Sequence, residues 1–189
     1  MNSSADPRVV HTHALVGEAV RALLVEEGWD AITHQRVAAR SGLGRNTVYR
    51  HFPDRLALLA HGGNFVGGGH HAPITGDVRV DLAAELRCFR QELFDGIVGT
   101  IIGAIVERAD RDPEVTPLRD HLVELGARQT AELVQSGMDQ GLIDDDRRVD
   151  DVVSALCGPL LYARLCQARA PSDEAIDAVV DAQLRPPPR

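Results

Sequence analysis

The sequence predicts an all-α fold, and three observations support this prediction. Apolar residues recur at three- and four-residue steps along most of the chain, which is the pattern of amphipathic helices. No stretch of useful length alternates between apolar and polar residues as a strand would. Segments rich in glycine and proline separate the helical stretches. With 189 residues, 44% of them hydrophobic, the chain has ample material for a packed core.

The first two predicted helices have clear boundaries. Apolar residues recur at helical spacing over residues 9–27, and Gly28 is a suitable C-cap for this helix. Thr33 is a natural N-cap for a short second helix, because its hydroxyl can accept a hydrogen bond from the first turn. The second helix is expected to end at Gly42, since glycine adopts the left-handed conformation without steric cost.

A third predicted helix, RNTVYRHF, begins after Gly44. Pro53, at a first-turn position, and Asp54 are expected to start a further helix. Two short helices joined by a glycine-bearing turn and braced by a longer helix are the parts of a helix-turn-helix domain. Residues 9–61 are therefore predicted to form a domain that binds double-stranded DNA.

The remaining domain boundaries follow from composition. Residues 62–76 are rich in glycine and are predicted to be a linker or a broken helix, because each glycine costs about 1 kcal/mol in a helix interior. Residues 77–185 are predicted to form a second helical domain, whose last helix has Ser172 as its N-cap. Residues 1–8 are predicted to be a flexible N-terminus, and residues 186–189 a disordered, proline-rich tail.

The charge of the chain is unevenly distributed. Residues 1–60 hold seven arginines against six acids, for +1, and the rest of the chain holds 13 arginines against 22 acids, for −9. Between residues 36 and 55 the balance is +4, from five arginines and one acid. The formal net charge of −8 therefore does not exclude a local basic surface that approaches a polyanion. All the basic residues are arginines, which suit bidentate contacts to phosphate and guanine.

The candidate DNA contacts lie mainly on the third helix. A helix in the major groove presents its N-terminal residues to base edges, and Arg45, Asn46 and Thr47 occupy those places. Arginine suits guanine, and asparagine suits adenine. Contacts to phosphate and neighbouring backbone are predicted for Thr33, Gln35, Arg36, Tyr49, Arg50, His51 and Arg55. A solvated face is an equally good interpretation of Arg36, and the core is the expected place of Val48 and Phe52.

The segment GWDAITHQRVAARSGLGRNTVYRHFPDRLALL resembles the DNA-binding domain of TetR-family transcriptional regulators. The resemblance rests on the Gly-aromatic-x-Ala-x-Thr start, the Val-Ala-x-x-Ser-Gly turn and the Thr-x-Tyr-x-His-Phe end. It implies a homodimer that binds a palindromic operator, usually as a repressor, with a helical C-terminal domain that dimerises and binds a small effector. The positions that match the family's usual DNA-contacting places are Thr33, Arg45, Thr47, Tyr49 and His51, with Arg55 in place of a common lysine.

Two residues of the segment depart from the family pattern. Gly44 replaces the usual serine at the N-cap of the third helix, and Asn46 replaces a commonly small residue. The first change is expected to cost the helix only a few tenths of a kcal/mol. The second is expected to alter the choice of base.

The C-terminal half carries a weaker resemblance. The stretch GLIDDDRRVDDVVSALCGPLLYARL looks like the penultimate helix of one TetR C-terminal subtype. This implies that helices over residues 149–167 and 172–184 pack against their dimer mates as a four-helix bundle. The predicted interface residues are Val152, Leu156, Leu160 and Val179. The alternative is that these four side chains fill the core of a single chain.

An effector pocket is expected between helices that span residues 77–138. Its predicted lining consists of Phe89, Phe94, Ile101, Ile105, Leu122, Leu125 and Met138. Ordinary core packing is the alternative for each of them. No cofactor or metal is predicted.

The sequence leaves two alternative classes of function, a metal-responsive regulator and a small helical enzyme. A metal-responsive regulator would use the histidines at positions 61, 70 and 71, with further histidines at 11 and 13, although histidines in a glycine-rich segment more often belong to a solvated loop. A small helical enzyme is disfavoured, because the sequence has no nucleophile elbow, phosphate loop or HExxH motif. The chain is therefore expected not to be an enzyme.

The predicted location is the cytoplasm. No run approaches about 18 uninterrupted apolar residues, so neither a membrane span nor a membrane partner is expected. The first residues lack the basic and apolar regions of a secretory signal. The cysteines, at positions 88, 157 and 166, form no CxxC pair and are expected to be small buried residues in a reducing compartment.

Overall fold

The computed structural model describes residues 6–67, 71–95 and 98–185, without the side chains of residues 63–67. The helices are α1 (Pro7–Glu27), α2 (His34–Ser41), α3 (Arg45–His51), α4 (Arg55–Gly67), α5 (Val78–Phe94), α6 (Val98–Ala109), α7 (Thr116–Asp139), α8 (Val149–Tyr162) and α9 (Asp173–Asp181). A short 3₁₀ turn follows α1, and a π-helical turn, Ala163–Gln167, follows α8. These ranges contain no strand, so the prediction of an all-α fold is confirmed.

The chain divides into two compact units. The first contains the described residues of 1–68 together with residues 100–125, and the second contains the described residues of 69–99 and 126–189. The stretch 100–125 thus belongs with the N-terminal helices, unlike the predicted domain that runs from 77 to 185. Residues 1–5 of the predicted flexible N-terminus and the predicted tail, 186–189, lie outside the described residues, whereas Pro7 and Arg8 of the predicted N-terminus already belong to α1. Among those that are described, no helix is long and apolar enough to cross a membrane.

The caps predicted for the first two helices are confirmed. The α1 helix ends at Gly28, whose N–H donates to the carbonyl of Leu24. The hydroxyl of Thr33 accepts a 3.3 Å hydrogen bond from the N–H of Arg36 at the start of α2. Gly42 follows α2 with a φ of 71°, which is the left-handed conformation that favours glycine. These caps fix the lengths of α1 and α2 through local interactions.

The start of α4 differs from the prediction. The helix begins at Arg55, so Pro53 precedes it instead of occupying its first turn. The carboxylate of Asp54 accepts a 2.7 Å hydrogen bond from the N–H of Ala57, which satisfies one of the free donors of the first turn. Proline is compatible with the first turn of a helix and with a place before it. The capping bond of Asp54 determines that α4 begins at Arg55.

The α4 helix also continues into the glycine-rich segment. Its helical backbone extends through Gly62 as far as Gly67. Gly62 is buried, and a Cβ built on it would lie 2.6 Å from Cγ1 of Val20 on α1. The first part of the predicted linker, residues 62–67, is therefore helix, and at Gly62 this helix packs closely against Val20 of α1.

The second unit is built around α5, which contacts α8 and α9. Leu82, Leu86 and Leu93 of α5 are completely buried. The predicted cap of the last helix is confirmed, because the hydroxyl of Ser172 accepts a hydrogen bond from the N–H of Ala175. Three arginines of α5 bind three aspartates of α9 in an antiparallel ladder: Arg79 with Asp181 at 2.6 Å, Arg87 with Asp177 at 2.6 Å and Arg90 with Asp173 at 2.7 Å.

The buried carboxylate of Asp81 holds the segment that leads into α5. It accepts hydrogen bonds from the N–H and the hydroxyl of Thr75, at 2.9 and 2.6 Å, and from the N–H of Gly76 at 2.9 Å. Burial acts to raise the pKa of Asp81, but these three hydrogen bonds outweigh it, and the pKa is lowered. Asp77 then caps α5 by accepting from the N–H of Val80. The backbone before α5 is thus fixed by its own helix.

The predicted dimer-interface residues require a correction. Val152, Leu156 and Leu160 are 0%, 0% and 1% exposed within a single chain, so their side chains have no surface left for a partner. The alternative interpretation, that they fill the core of one chain, describes them in this structure. Val179 on α9 is half-buried. The apolar stripe of α8 faces inward because α8 packs against α5 and α9 of the same chain.

Candidate nucleic-acid interface

The α3 helix is held by its apolar side and presents its polar side to solvent. Val48 is completely buried and Phe52 is 4% exposed, so the prediction that both belong to the core is confirmed. The α2 helix contributes Val37 and Ala38 to the same core. Because α3 has only seven residues, its position depends on this packing more than on helix propensity.

The predicted base-contacting residues lie at the exposed start of α3. Arg45 and Asn46 are exposed, and Thr47 is half-buried. Gly44 caps the helix without a side-chain hydrogen bond, and its carbonyl accepts a 2.9 Å hydrogen bond from the N–H of Thr47. This end of α3 therefore exposes a guanidinium and an amide, which are groups that bind base edges and phosphates.

An aromatic stack underlies this surface. Tyr49 is 42% exposed, and its ring lies parallel to the imidazole of His34, with ring centroids 3.9 Å apart and planes 2° apart. The guanidinium carbon of Arg45 lies 5.5 Å from the Tyr49 centroid, and Nη2 lies 3.4 Å from the tyrosine hydroxyl. His34 is buried and absent from the predicted site residues. The position of His34 directly after the N-cap Thr33 does not predict that its ring supports α3.

A second aromatic group joins α1 to α3 and α4. The ring of His13 lies 5.3 Å from His51, 5.0 Å from Phe52 and 4.9 Å from His61, measured between centroids. Nε2 of His61 donates a 2.7 Å hydrogen bond to the carbonyl of His13. Burial, followed by the proximity of His61 and then His51, lowers the pKa of His13. His51, a predicted phosphate contact, is therefore half-buried in this histidine cluster.

Several arginines of the predicted basic patch have partners within the chain. Arg36 pairs with Glu27, and Arg40 pairs with Glu26 through a 2.8 Å hydrogen bond. Arg55 donates to the carbonyl of Trp29. These contacts place acids of α1 beside the arginines of α2, so the local positive charge is smaller than the sequence count implies. The other predicted contacts, Thr33, Gln35 and Arg50, are exposed.

The roles of these residues at DNA stay predictions. The structure places the candidates on α3, on α2 and on its N-cap Thr33, with Arg55 at the start of α4. Arg45, Asn46, Thr47, Tyr49 and Arg50 share the exposed side of α3, whereas Arg36 and Arg55 are engaged in contacts that DNA would have to share or replace.

The metal-responsive alternative gains no support from the described residues. No group of three or more His, Cys, Asp or Glu side chains among them could hold a metal ion. His71 donates a 2.8 Å hydrogen bond to Glu85, His61 bonds the carbonyl of His13, and His11 is exposed. His70 lies outside the described residues.

The predicted effector-pocket residues do not gather around one cavity. The second unit has a cavity of about 240 Å³, and it is lined by Arg87, Cys88, Arg90, Gln91, Phe94, Asp95 and Ala170. Phe94 alone belongs to the predicted set. Ile101, Ile105 and Met138 are buried, while Phe89, Leu122 and Leu125 are half-buried. Phe89, Phe94 and Met138 belong to the second unit, and the other four belong to the first.

A buried polar cluster in the second unit includes Glu85 of α5, the helix that also lines the cavity. Glu85 is 4% exposed and accepts hydrogen bonds from His71, from the N–H of Ala72 and from Gln129. Burial raises the pKa of Cys157 to about 11; a hydrogen bond with Thr130 opposes this shift, and Glu85 adds to it. The thiol of Cys157 is thus protonated at neutral pH.

The exposure of the three cysteines differs from the prediction of small buried residues. Cys166 is exposed, and Cys88 and Cys157 are half-buried. All three are free thiols. Burial, together with Glu85 and Glu92, raises the pKa of Cys88.

The first unit defines a class of protein. A long helix braces two short helices joined by a tight turn, and the second short helix exposes its first turn, which is the geometry of a helix-turn-helix DNA-binding domain. Residues 18–61 match the family model of bacterial regulatory proteins of the tetR family. Residues 72–183, more than half of the chain, match the tetracyclin repressor-like C-terminal domain. The chain belongs to the TetR family of DNA-binding transcriptional regulators, which confirms the resemblance found in its sequence.

Relatives of similar length support this membership. The HTH-type transcriptional regulator Rv1556 of Mycobacterium tuberculosis is 28% identical over 170 residues, which are 87% of this chain and 81% of that protein. The TetR-family regulator SCO0332 has a solved structure with 28% identity and a TM-score of 0.72, covering 90% of this chain and 94% of that one. A TetR-family regulator from Rhodococcus sp. has a TM-score of 0.76 at 16% identity, with 92% and 96% coverage, and is similar in fold alone.

Proposed function

We propose that this protein is a ligand-responsive repressor that acts as a homodimer on a palindromic DNA operator. The observation that carries the proposal is the exposed first turn of α3, which presents the side chains of Arg45 and Asn46 to solvent. In a twofold dimer, two such helices must lie about 34 to 36 Å apart to enter successive major grooves. An effector that stabilises a different spacing releases the DNA, and a coupling of about 1 to 3 kcal/mol is sufficient.

The DNA contacts are tested with two substitutions on α3. Arg45→Ala and Tyr49→Ala, combined, are expected to weaken operator binding at least about tenfold, because a well-placed base contact is worth about 1 to 3 kcal/mol. The matched control is Arg148→Ala, which removes the same charge from an exposed arginine of the second unit. Binding is measured by fluorescence anisotropy at several salt concentrations, since the salt dependence counts phosphate contacts. Unchanged affinity and salt slope in the double variant would exclude α3 as the recognition helix.

Exposed apolar residues on α8, on the π-helical turn that follows it and on α9 support a dimer. Pro159 and Tyr162 of α8 and Leu165 of the π-helical turn follow at steps of three and are exposed; Tyr162 is 59% and Leu165 is 46% exposed. On α9 and its C-cap, the exposed apolar residues at helical spacing are Ala175, Ala178 and Ala182. Exposed apolar rows of this kind are typical of surfaces that bind another protein. These rows replace the buried stripe of α8 as the proposed dimer surface.

The oligomeric state tests this surface. Tyr162→Asp with Leu165→Asp places two charges on the exposed row and is expected to convert the dimer to a monomer in sedimentation velocity. Val123→Asp, at a 62% exposed valine of α7, is the matched control and should leave the mass unchanged. A dimer that survives the double substitution would place the interface elsewhere.

The effector is proposed to be a small molecule bound in the second unit. The cavity beside Phe94 supports this, because it combines an aromatic ring with Arg87 and Arg90. Gln91→Trp places a large ring on the exposed rim of the cavity, and Gln135→Trp places one at an exposed glutamine of α7 as a control. A compound that raises the melting temperature and releases operator DNA should lose both effects in Gln91→Trp alone. Equal responses in the two variants would contradict this location.

Repression is tested in cells. Deletion of the coding sequence is expected to raise the transcript of the gene that the operator precedes, and the variant with both α3 substitutions should behave like the deletion. A fall in that transcript would identify the protein as an activator.

A further inference from the structure

His34 lies where the two short helices of the DNA-binding unit meet. It is the first residue of α2, and only 8% of its surface is exposed. Its Nε2 donates a 2.7 Å hydrogen bond to the backbone carbonyl of Phe52, the C-cap of α3. Carbonyls at the C-terminal end of a helix lack partners within the helix, so this bond satisfies one of them. It also ties the end of α3 to the start of α2.

The same imidazole restrains Tyr49. The two rings are parallel at a centroid distance of 3.9 Å, which is close contact over a whole face of the tyrosine ring. A side chain that is 42% exposed on a surface helix would otherwise exchange between rotamers in picoseconds to nanoseconds. Because His34 is itself buried and hydrogen-bonded, it forms a fixed support that selects one orientation of Tyr49.

Tyr49 in turn restrains Arg45. The guanidinium lies over the tyrosine ring at 5.5 Å, within the range of a cation–π interaction, and Nη2 reaches to 3.4 Å from the hydroxyl. Arginine has many rotamers of similar energy, so even a weak support on one turn of helix reduces the number that it samples. The contacts therefore run from a buried histidine, through a half-exposed tyrosine, to an exposed arginine.

We propose that His34 is a positioning residue for DNA recognition, which orders Tyr49, and through it Arg45, before DNA is bound. The proposal rests on the proposed function, in which Arg45 and Tyr49 contact the operator. His34 itself is buried, so its proposed effect on DNA binding passes through Tyr49. Side chains that are ordered in the free protein need not lose their freedom on binding, which is worth about threefold to tenfold in affinity for each of them.

Three substitutions separate the two contacts of His34. His34→Phe keeps a ring against Tyr49 but has no donor for the Phe52 carbonyl. His34→Gln keeps a donor but has no ring, and His34→Ala has neither. The probe is a short DNA duplex that the unaltered protein selects from a random-sequence pool. Each affinity is measured at a temperature well below the unfolding midpoint of that variant, so that a loss of folded protein does not contribute.

The expected order of affinities follows the ring. His34→Phe should bind within about twofold of the unaltered protein, and His34→Ala and His34→Gln should bind about threefold to tenfold more weakly. The salt slope should stay the same in all three, because no phosphate contact is removed. Low salt keeps the weaker complexes measurable.

A double-mutant cycle shows whether His34 acts through Tyr49. In a Tyr49→Ala background, His34→Ala should have no further effect on affinity, because the side chain that it positions is gone. An equal loss in both backgrounds would mean that His34 supports the fold alone, and the proposal would be wrong. The proposal also fails if His34→Gln binds as well as His34→Phe.

The same data separate this proposal from the proposed function. If Arg45→Ala and Tyr49→Ala weaken binding while the His34 series leaves it unchanged, the DNA contacts stand and the positioning role is excluded. If Arg45→Ala and Tyr49→Ala themselves have no effect, both are excluded. Should His34→Ala fail to fold, the comparison of His34→Phe with His34→Gln still decides between a ring and a donor.

Discussion

The α-carbon of Gly62 faces Val20 so closely that a methyl group on it would lie 2.6 Å from Cγ1 of the valine. Val20 is 1% exposed and β-branched, so it cannot easily move aside. We predict that Gly62→Ala destabilises the protein by about 1 to 3 kcal/mol, as overpacking does. Thermal unfolding followed by circular dichroism measures this change.

The control and the rescue use other positions. Gly126→Ala, in α7 with nothing within 4 Å of the added carbon, should stabilise by up to about 1 kcal/mol. In a Val20→Ala background, the cost of Gly62→Ala should largely disappear, because the clashing methyl group is absent. The same cost in both backgrounds would show that α1 and α4 do not meet at this pair.

The N-cap of α3 offers a stabilising substitution. Gly44 has a φ of −64°, and an added Cβ would meet only Thr47 Oγ1, at an ordinary 3.8 Å. Gly44→Ser supplies the missing capping hydroxyl and restricts the unfolded chain, so we expect a gain of about 0.5 to 1 kcal/mol in unfolding free energy. Gly42→Ser is the matched control, because a φ of 71° should make it destabilising by about 1 kcal/mol. Urea unfolding of both variants measures these changes in unfolding free energy. A loss of stability in Gly44→Ser would contradict the prediction.

The carboxylate of Asp81 should fix the segment before α5. Asp81→Asn removes part of its charge-assisted bonding to Thr75 and Gly76 and is expected to cost about 1.5 to 3 kcal/mol. Asp77→Asn, at the exposed N-cap, should cost less, since asparagine caps as well as aspartate. Hydrogen exchange should become faster at the amides of Thr75 and Gly76 in the first variant only. Unchanged exchange there would mean that the segment is held by other contacts.

Histidine titration should weaken the first unit at mildly acidic pH. The pKa of His13 is lowered in the folded protein, so the unfolded chain binds its proton first. Folding favours the neutral imidazole of His13. The free energy of unfolding should therefore fall as the pH drops from about 6.5, the pKa in the unfolded chain, towards the lower pKa in the folded protein. His13→Gln should make this fall shallower, whereas His11→Gln, at an exposed position of the same helix, should not. Urea midpoints between about pH 8 and pH 5 measure it.

The signals that allowed the DNA-binding unit to be predicted are local. Thr33 and Gly42 each specify a helix end through interactions within a few residues, and both are found where the sequence places them. The family resemblance covers the same stretch, and it too rests on short motifs of neighbouring residues. Contacts between distant residues gave no such signal. The stack of His34 on Tyr49 and the pairing of Arg36 with Glu27 both join different helices, and neither follows from residue spacing.

The second unit shows the limit of amphipathic patterns. The stripe that contains Leu156 and Leu160 predicts a buried helix face but does not say whether the same chain or a partner covers it. In the structure the same chain covers it, and the smaller apolar row that contains Tyr162 remains exposed. Gly62 is a similar case, because a glycine where two helices cross has the same composition signal as a glycine in a linker.

The arginine–aspartate ladder between α5 and α9 also limits which segments this chain can exchange with its relatives. The arginines at 79, 87 and 90 meet acids at 181, 177 and 173 in reverse order, so the pairs specify both the direction and the register of α9. A displacement of α9 by four residues would leave two of the arginines opposite aspartates but would set the third opposite Arg169 or Arg185. A chimera that takes α9 from a relative would therefore need acids at the same spacing, and modular exchange of the last helix is restricted to relatives that share this charge pattern.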